Sequence, residues 1–395
     1  MKTHIHDLSL FVTFLKGYIS GVEDYVARAL LSPEGAVVFD DYDVDNYVEY
    51  LRDINVGPKK VWSVESTGDT LFHALDQSNQ LDEVLEQSDV IVPFVSWEYT
   101  NKFKDKWGLK DSQWKTQPPE VHQKLENKTH LREIGKEEWF TDYTTCRDKE
   151  LVEVGQEMLR EYENILVRHP KKASGVGAEQ IGDPNYFQSQ DFDQFVEEHS
   201  DDNHFLVEEF YEKGEEFSII WDVSAEGEPK LQFWTRQYIN DCVHQGNMVA
   251  DVEVVFPWEA ETTISEIKDA TRRIIEEYPY FGRIGFDLKV SPSGEWKILE
   301  CNCRYGGSSY PGFTREQVGE DRCVLMHNIH PRLDNFQQVH QAFVEADVDY
   351  SKEDRIGAFV ANPFCLPDKC AAMIVAENPD EAEQILSTIL DKVDK

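Results

Sequence analysis

The length, composition and charge of the chain already narrow its possible functions. Its 395 residues, 40% hydrophobic and 12% aromatic, are enough for two or three globular domains with filled cores. The 76 acidic residues against 39 basic ones give a formal charge of −37. Because this charge repels nucleic acids and anionic membrane surfaces, we expect neither as a partner.

The cysteines indicate a reducing compartment, and the apolar runs give no sign of a membrane span or a signal peptide. Seven cysteines are scattered along the chain without a C-x-x-C pair, which argues against a disulfide framework. No run reaches the roughly 18 apolar residues of a membrane span, and the first residues lack a signal-peptide pattern. We therefore expect a cytoplasmic protein.

Residues 1–120 alternate short apolar strands with amphipathic helical segments. AVVFD, VWSVE and VIVPF read as strands, whereas DNYVEYLRDI and LDEVLEQ read as helices. This alternation predicts a small α/β domain with a parallel sheet, ending at the Pro-rich stretch TQPPE. The acidic run at 40–43 follows a strand and has two interpretations, a solvated surface or a contact for a cationic or amino group.

The next block, 121–205, joins a helical segment to a strand and a basic, glycine-containing loop. The helical segment VHQKLENKTHLREIG contains Lys128, and the strand ENILVRHP runs into KKASGVG. Small residues let backbone N–H groups approach a phosphate closely, and neighbouring cations offset its charge. An ordinary turn is the alternative interpretation. The candidate phosphate-binding residues are Arg168, His169, Lys171, Lys172, Ser174, Gly175 and Gly177.

An acidic strand–turn–strand segment follows, with the sequence VEEFYEKGEEFS. Its backbone groups are candidates for hydrogen bonds to the edge of an adenine ring, and Glu216 is a candidate acceptor for ribose hydroxyls. A surface hairpin is the alternative. The strand KLQFWTRQYIN, which carries Arg236, and a helix around ISEIKDATRRIIEEY complete an α+β layout with antiparallel sheet.

The most informative stretch is FGRIGFDLKVSPSGEWKILECNCRYGG, which reads as a β-hairpin closed by a Ser-Pro-Ser-Gly turn. This hairpin brings Asp287 opposite Glu300 and Asn302. Alternation along the strand turns Glu300, Asn302 and Arg304 to one face, and Cys301 and Cys303 to the other. Two carboxylates and an amide oxygen suit Mg²⁺ or Mn²⁺ bound together with phosphate oxygens. A solvated polar face is the alternative.

Two further segments complete the chain. The loop at 306–312, GGSSYPG, is a candidate cradle for a carboxylate substrate, or else a simple connector. From residue 331 onward the strands IGAFVANPF and CAAMIVA and a closing helix predict a small C-terminal cap.

In this order, the pieces resemble the ATP-grasp superfamily. The resemblance covers about residues 121–315 and rests on N-K-T at 127–129, the basic loop, VEEFYEKGEEFS, the strand arginine, and GFD followed by ECNCR. It implies an ATP-grasp fold with a preceding α/β domain, a mixed α+β and α/β protein. The implied parts are the preceding domain (1–120), the lid (121–205), the metal- and nucleotide-binding part (206–330) and the cap (331–395).

The resemblance also implies roles for individual residues. Lys128 and the segment 168–177 would contact the phosphates of ATP, although the family usually has a lysine where this chain has several cations. The adenine pocket and ribose contacts would come from Glu208, Glu209, Phe210, Tyr211 and Glu216. The Mg²⁺ ions would be held by Asp287, Glu300 and Asn302, and the transferring group would be stabilised by Arg236 and Arg304.

The function implied is ATP-dependent joining of a small carboxylate to an amine or similar nucleophile through an acyl-phosphate, forming ADP and phosphate. A homodimer is compatible with this class. Two alternatives remain at this point. The same site would serve a small-molecule kinase with a hydroxyl acceptor, or an ATP-binding regulatory module without catalysis.

Overall fold

A computed structural model describes residues 1–7, 28–40, 43–66, 70–171, 177–200, 204–240, 242–256 and 260–393. Of the predicted site residues, Lys172, Ser174 and Gly175 lie outside these ranges, as do two members of the acidic run, Asp41 and Tyr42. Within these ranges, no helix has the length and apolar character needed to cross a bilayer.

The first 106 residues contain a four-stranded sheet with order β3-β2-β1-β4, and every pair in it is parallel. The strand GAVVF at its centre is almost entirely buried, as expected when helices cover both faces of a parallel sheet. The predicted parallel α/β layer is confirmed. Its elements are β1 (Lys2–Ile5), β2 (Gly35–Phe39), α1 (Val44–Asp53), β3 (Lys60–Val64), α2 (Leu71–Gln77), α3 (Leu81–Gln87), β4 (Val90–Pro93) and α4 (Glu98–Lys106).

A second, antiparallel sheet of four strands follows, with order β5-β8-β6-β7. Its last strand along the chain, β8, ends at Glu209, so this sheet extends beyond the boundary that we predicted at residue 205. The strand register decides this, because β8 hydrogen-bonds to β5 and β6. The elements are α5 (Pro119–Glu126), α6 (Lys128–Ile134), β5 (Tyr143–Cys146), α7 (Leu151–Met158), β6 (Ile165–Arg168), β7 (Ala178–Ile181), α8 (Gln190–His199) and β8 (Phe205–Glu209).

The third sheet is antiparallel and has eight strands in the order β13-β12-β9-β10-β11-β14-β16-β15. Its first part comprises β9 (Glu215–Val223), β10 (Pro229–Asn240), β11 (Val243–Val249), α9 (Val252–Val255), α10 (Ala260–Glu277), β12 (Gly282–Val290) and β13 (Trp296–Asn302). Its second part comprises α11 (Ser309–Val318), β14 (Cys323–Ile329), α12 (Phe336–Glu345), β15 (Gly357–Val360), β16 (Cys370–Ala376) and α13 (Pro379–Lys392).

The C-terminal segment belongs to this sheet and is not a separate cap on it. All seven residues of β16 are buried and pair with β14 along their whole length. A strand that is apolar on both faces needs neighbours on both sides and cover above and below. The all-apolar sequence CAAMIVA therefore explains why this segment lies inside the sheet and does not form the expected cap.

The first domain packs directly against this C-terminal part. The hydroxyl of Tyr47 in α1 donates to the carbonyl of Val360 (2.9 Å), and the Val360 N–H donates to the hydroxyl of Tyr50 (3.2 Å). Tyr47 also packs edge-on against Phe336. These contacts hold the parallel domain beside the eight-stranded sheet.

Candidate functional site

A cleft of about 400 Å³ lies between the four-stranded antiparallel sheet and the eight-stranded sheet. The fold brings most of the predicted site residues to it, although they come from widely separated parts of the chain. Those that line the cleft are Lys128, Arg168, His169, Gly177, Glu208, Glu209, Phe210, Tyr211, Glu216, Asp287, Glu300, Asn302 and Arg304.

The predicted metal set is assembled by the β12–β13 hairpin. Asp287 pairs with Glu300 in the antiparallel register, and a bulge follows directly after Asp287. The Asn302 amide donates to Oδ2 of Asp287 (2.9 Å) and to Oε1 of Glu300 (3.2 Å). The other carboxylate oxygen of Asp287 accepts from Ser218 Oγ (2.6 Å) and Gln237 Nε2 (3.0 Å). The three predicted groups therefore converge at one point of the cleft.

The two carboxylates have opposite electrostatic environments. Burial and the neighbouring Glu300 raise the pKa of Asp287 well above its ordinary value. Burial alone would also raise the pKa of Glu300, but Lys128, with Nζ 3.0 Å from Oε2, together with Asp287, Arg168 and Arg304, holds it far below its usual range. Two adjacent carboxyls repel each other when both are ionised. A divalent cation bound between them offsets this repulsion, so such a pair favours binding of a divalent cation.

The donor set fits a hard cation that shares its coordination with phosphate. Within the described ranges, no group of three or more His, Cys, Asp or Glu side chains is arranged to hold a metal ion. The site therefore offers two carboxylates and one amide. Mg²⁺ typically takes one or two carboxylates and completes its shell with substrate phosphates and water.

Lys128 is directed into the cleft by the start of α6. The Asn127 side chain caps this helix by accepting from the N–H groups of Thr129 (3.0 Å) and His130 (3.2 Å). Lys128 itself is buried, and burial lowers its pKa despite the opposing effect of Glu300. The helix cap thus places a desolvated ammonium beside the metal set.

Among the cations of the basic loop, Arg168 faces the cleft and Lys171 does not. Arg168 donates to the Leu299 carbonyl (3.0 Å) and forms an ion pair with Glu208. Lys171 is exposed, and its backbone N–H bonds to Nδ1 of His169 (3.2 Å). Arg168 is therefore the cation of this segment that the described structure places near the metal set.

Glu208 lines the cleft, but its carboxylate is already engaged. It sits between Arg168 and Arg132, whose Nη2 is 2.5 Å from Oε2, and its side chain is 2% exposed. Burial lowers the pKa of Arg132 to about 10, although Glu208 opposes this. Glu208 thus shapes the wall of the cleft and leaves the predicted adenine contacts to its neighbours.

Lys289 was missed by the sequence analysis. It lies two residues after Asp287 on β12, its Nζ is 4.8 Å from the centre of the Phe210 ring, and it is 3.5 Å from a carboxylate oxygen of Glu216. Strand periodicity from Asp287 indicates this position, because alternate residues share a face. Lys289 therefore adds a cation to the end of the cleft that holds Phe210 and Glu216.

Arg304 is held in place by a residue that no sequence motif singled out. Its guanidinium forms an ion pair with Glu126 of α5, which also accepts from the Cys303 N–H (3.0 Å). Cys301 and Cys303 are each 3% exposed, so the predicted alternation of faces is confirmed. Glu126 thus fixes the position of Arg304, which lines the cleft.

Arg236 does not reach the cleft, and the structure does not support its predicted role. It pairs with Glu215 (2.9 Å) and Glu383 (3.6 Å) on the other face of β10. The next residue, Gln237, points into the cleft and bonds to Asp287. The difference arises because neighbouring residues of a strand face opposite ways.

The segment predicted to be a substrate loop is a loop only at its beginning. Gly306, Gly307 and Ser308 line the cleft, whereas α11 begins at Ser309 and the rest of the segment is buried helix. The cradle proposed for a carboxylate is thus confined to three residues.

Comparisons with known proteins agree on the architecture. No protein-family model matches the chain, and no curated protein matches it in sequence. Solved structures match along its whole length. A carboxyaminoimidazole ribonucleotide synthase from Aspergillus clavatus, complexed with ATP, has a TM-score of 0.59 at 11% identity and covers 100% of this chain and 98% of its own.

Two other solved structures are similar to the same extent. The biotin carboxylase domain of 2-oxoglutarate carboxylase from Hydrogenobacter thermophilus, with MgADP, ADP and bicarbonate, has a TM-score of 0.57 at 10% identity, covering 98% and 89%. Phosphoribosylamine–glycine ligase from Thermotoga maritima has a TM-score of 0.56 at 13% identity, covering 99% and 97%. At such identities the likeness concerns the fold. The chain therefore has the ATP-grasp fold, as its motifs predicted.

Proposed function

We propose that this protein is an ATP-dependent ligase that joins a carboxylate to an amine, or a similar nucleophile, through an acyl-phosphate. The observation that carries the proposal is the convergence of Asp287, Glu300 and Asn302 with Lys128 in one cleft. The similar structures reported above include complexes with ATP and MgADP, and this supports a nucleotide in the same fold.

Asp287, Glu300 and Asn302 would hold Mg²⁺. The ion, when bound, neutralises negative charge on the phosphates of ATP. The opposed pKa shifts of the two carboxyls support this assignment, because a cation removes the repulsion that keeps Asp287 from ionising. Ser218 and Gln237 would keep the Asp287 carboxylate in a fixed orientation through their hydrogen bonds.

The other residues of the cleft would bind the nucleotide and stabilise charge. Lys128 and Arg168 would contact the phosphates, with Lys128 exchanging its bond to Glu300 for one to a phosphate oxygen. Phe210 would pack against adenine and Glu216 would accept from ribose hydroxyls. Arg304, fixed by Glu126, would stabilise negative charge on the acyl-phosphate.

The chemistry of this proposal balances without a protein nucleophile. A carboxylate oxygen of the substrate attacks the γ-phosphorus of ATP, ADP leaves, and an acyl-phosphate forms. The amine then attacks the acyl carbon, loses a proton, and phosphate leaves. ADP and phosphate are therefore released in equal amounts.

The test is an assay of phosphate and ADP release from Mg-ATP across a panel of carboxylates and amines. A ligase releases both products, and release depends on the amine. Asp287→Asn and Glu300→Gln should each lower the rate by at least about 100-fold, since each removes a proposed metal ligand. Asp269→Asn, an exposed carboxylate far from the cleft, serves as the matched control.

Two results would contradict the ligase. ADP formation without free phosphate, in response to a hydroxyl compound, would identify a kinase on the same site. Equal rates for the wild type and both cleft variants would remove the site assignment itself.

A further inference from the structure

Two neighbouring strands of the eight-stranded sheet carry matched polar pairs along the face that lines the cleft. In the antiparallel register of β9 and β12, Asp287 lies opposite Ser218. Two residues further along β12, Lys289 lies opposite Glu216, and all four residues line the cleft. Because alternate residues of a strand share a face, the second pair lies about 7 Å from the first on the same face. The pair of Lys289 and Glu216 is therefore the next polar pair after the metal ligand Asp287.

Lys289 is held between a carboxylate and an aromatic ring. Its Nζ is 3.5 Å from Oε1 of Glu216 and 4.8 Å from the centre of the Phe210 ring. Its side chain is 11% exposed, and that of Glu216 is 24% exposed. An ammonium group that is largely withdrawn from water is stabilised both by a carboxylate and by the face of a ring. Contacts on two sides therefore fix where this ammonium group lies.

The ion pair leaves part of the Glu216 carboxylate available to a ligand. A carboxylate accepts about four hydrogen bonds through its two oxygens, and the contact with Lys289 is made at Oε1. An acidic side chain with several rotatable bonds loses rotamer freedom when a ligand orders it, and this loss weakens binding. Because Lys289 already restricts Glu216, part of this loss is incurred before the ligand binds.

We propose that Lys289 is a positioning residue that makes the cleft select ribose over deoxyribose in its nucleotide. It acts through Glu216, by holding the carboxylate where it accepts hydrogen bonds from ribose hydroxyls. The inference rests on the proposed function, from which it takes the placement of adenine at Phe210 and of ribose at Glu216. A hydrogen bond to a charged acceptor is strong, and a nucleotide that lacks one hydroxyl leaves such a bond unmade. The ligand class is therefore a ribonucleotide, and a deoxynucleotide is a poor ligand.

A direct contact between Lys289 and the base is the competing role. The ammonium group lies over the Phe210 ring, against which adenine would pack, so it is also close to the expected position of the base. Such a contact would strengthen the binding of a ribonucleotide and of a deoxynucleotide equally. The ratio of the two affinities therefore separates the roles, because only a residue that acts through Glu216 changes this ratio.

The test measures the affinities of the full chain for ADP and for deoxy-ADP, which lacks one ribose hydroxyl, by calorimetry with Mg²⁺ in excess. The wild type should bind ADP about tenfold more tightly, because it makes one more hydrogen bond to a charged group. Lys289→Met keeps a long side chain without the charge and should reduce this preference to about twofold or less. Lys289→Arg keeps the charge and should retain most of the preference.

A double-mutant cycle ties the effect to Glu216. Glu216→Gln keeps the shape of the side chain but removes the charge of the acceptor, and it should lower the preference to a similar extent. In the Glu216→Gln background, Lys289→Met should change the preference by less than about twofold, because the group through which it acts is already altered. Lys230→Met removes the same charge from an exposed position on β10 of the same sheet, and as the matched control it should leave the preference intact.

The proposal is overturned if the wild type binds the two nucleotides equally, or if Lys289→Met weakens both equally and leaves their ratio unchanged. It is also overturned if Glu216→Gln leaves the ratio unchanged or if the two substitutions have additive effects. Failure of the proposed function has a different signature, because neither nucleotide then binds to the wild-type chain. Binding of ADP without a preference for ribose removes only the role of Lys289.

Discussion

At the scale of single residues, the two carboxyls of the proposed metal site, Asp287 and Glu300, differ in the groups that surround them. Glu300 has Lys128 at 3.0 Å, whereas Asp287 accepts hydrogen bonds from the neutral groups of Ser218, Gln237 and Asn302. The charge of Glu300 is therefore compensated by a close cation within the protein. Asp287 lacks such a close cation among the described residues, so it is the carboxyl that would gain most from the proposed metal ion.

This imbalance predicts how Asp287→Asn changes the pH dependence of stability. The pKa of Asp287 in the folded chain lies well above the ordinary value of 3.8, so the folded state holds its proton more tightly than the unfolded state does. The stabilisation it provides is fully present below pH 3.8 and is lost as pH rises through the folded pKa. Without metal, Asp287→Asn should therefore gain stability relative to the wild type as pH rises.

Urea unfolding of both metal-free chains from acidic to neutral pH checks this difference. Added Mg²⁺ and ATP should then stabilise the wild type more than the variant, because ligands that bind the folded state raise its stability. Parallel pH curves for the two chains would show that Asp287 is not destabilised by its surroundings.

We expect that replacing Glu208 changes the stability of the fold and not the binding of metal. It lies between Arg132 and Arg168 in a buried set of three charges. Glu208→Gln leaves two buried guanidinium groups without this counter-charge, which should lower the free energy of unfolding by roughly 3–5 kcal/mol. The matched control is Glu209→Gln, half-buried next in sequence, with an expected change of about 1 kcal/mol or less.

Denaturant unfolding at neutral pH measures both effects. If Glu208→Gln is as stable as Glu209→Gln, the three buried charges contribute no net stability and the interpretation is wrong.

At the scale of elements, the turn between β8 and β9 depends on a single glycine. Gly214 has a φ of +96°, and a Cβ there would lie 2.1 Å from the carbonyl oxygen of Val290 at the end of β12. Gly108 has a φ of +65°, and a Cβ added there would meet no atom within 4 Å, so it is a matched control for the backbone effect alone. Alanine at Gly108 tests the backbone strain alone, whereas alanine at Gly214 tests the same strain together with a steric clash.

Gly108→Ala should cost about 1 kcal/mol, the usual penalty for a side chain in the left-handed region. Gly214→Ala should cost clearly more, because the clash is with backbone and must be relieved by moving β9 away from β12. The melting temperatures of the two variants give the comparison. Equal losses would mean that β12 accommodates the added methyl group.

Sequence patterns were sufficient to predict some elements and their exposed faces but not others. The hairpin around Asp287 and Glu300 followed from strand alternation and turn residues, which are local properties. The choice between Arg236 and Gln237 did not, because the face that a strand turns to a cleft depends on its register with β9 and β11. Likewise, Ser309 begins a helix because the fold buries that segment, although its sequence resembles a loop.

At the scale of the whole molecule, the C-terminal strands are part of the central sheet. β16 pairs with β14 on one side and β15 on the other. A chain that ends at residue 330 would expose β14 as a long apolar edge, and such edges promote aggregation. We expect this truncation to lose cooperative unfolding and to precipitate.

Circular dichroism and size-exclusion chromatography of the truncated chain check this expectation. A soluble, cooperatively folded product would show that residues 331–395 act as a dispensable cap after all.

What the sequence by itself determined is the set of local patterns: the parallel α/β domain, the polar hairpin and Lys128 at the start of a helix, from which a phosphate-binding metal site was predicted. These follow from periodicity, turn residues and side-chain type, which need only a few neighbouring residues. The tertiary structure alone decided which cations meet that site. Arg168 lies far from the hairpin in sequence, and only the packing of two separate sheets brings it to the Leu299 carbonyl on β13, while Glu126 of α5 holds Arg304 in place.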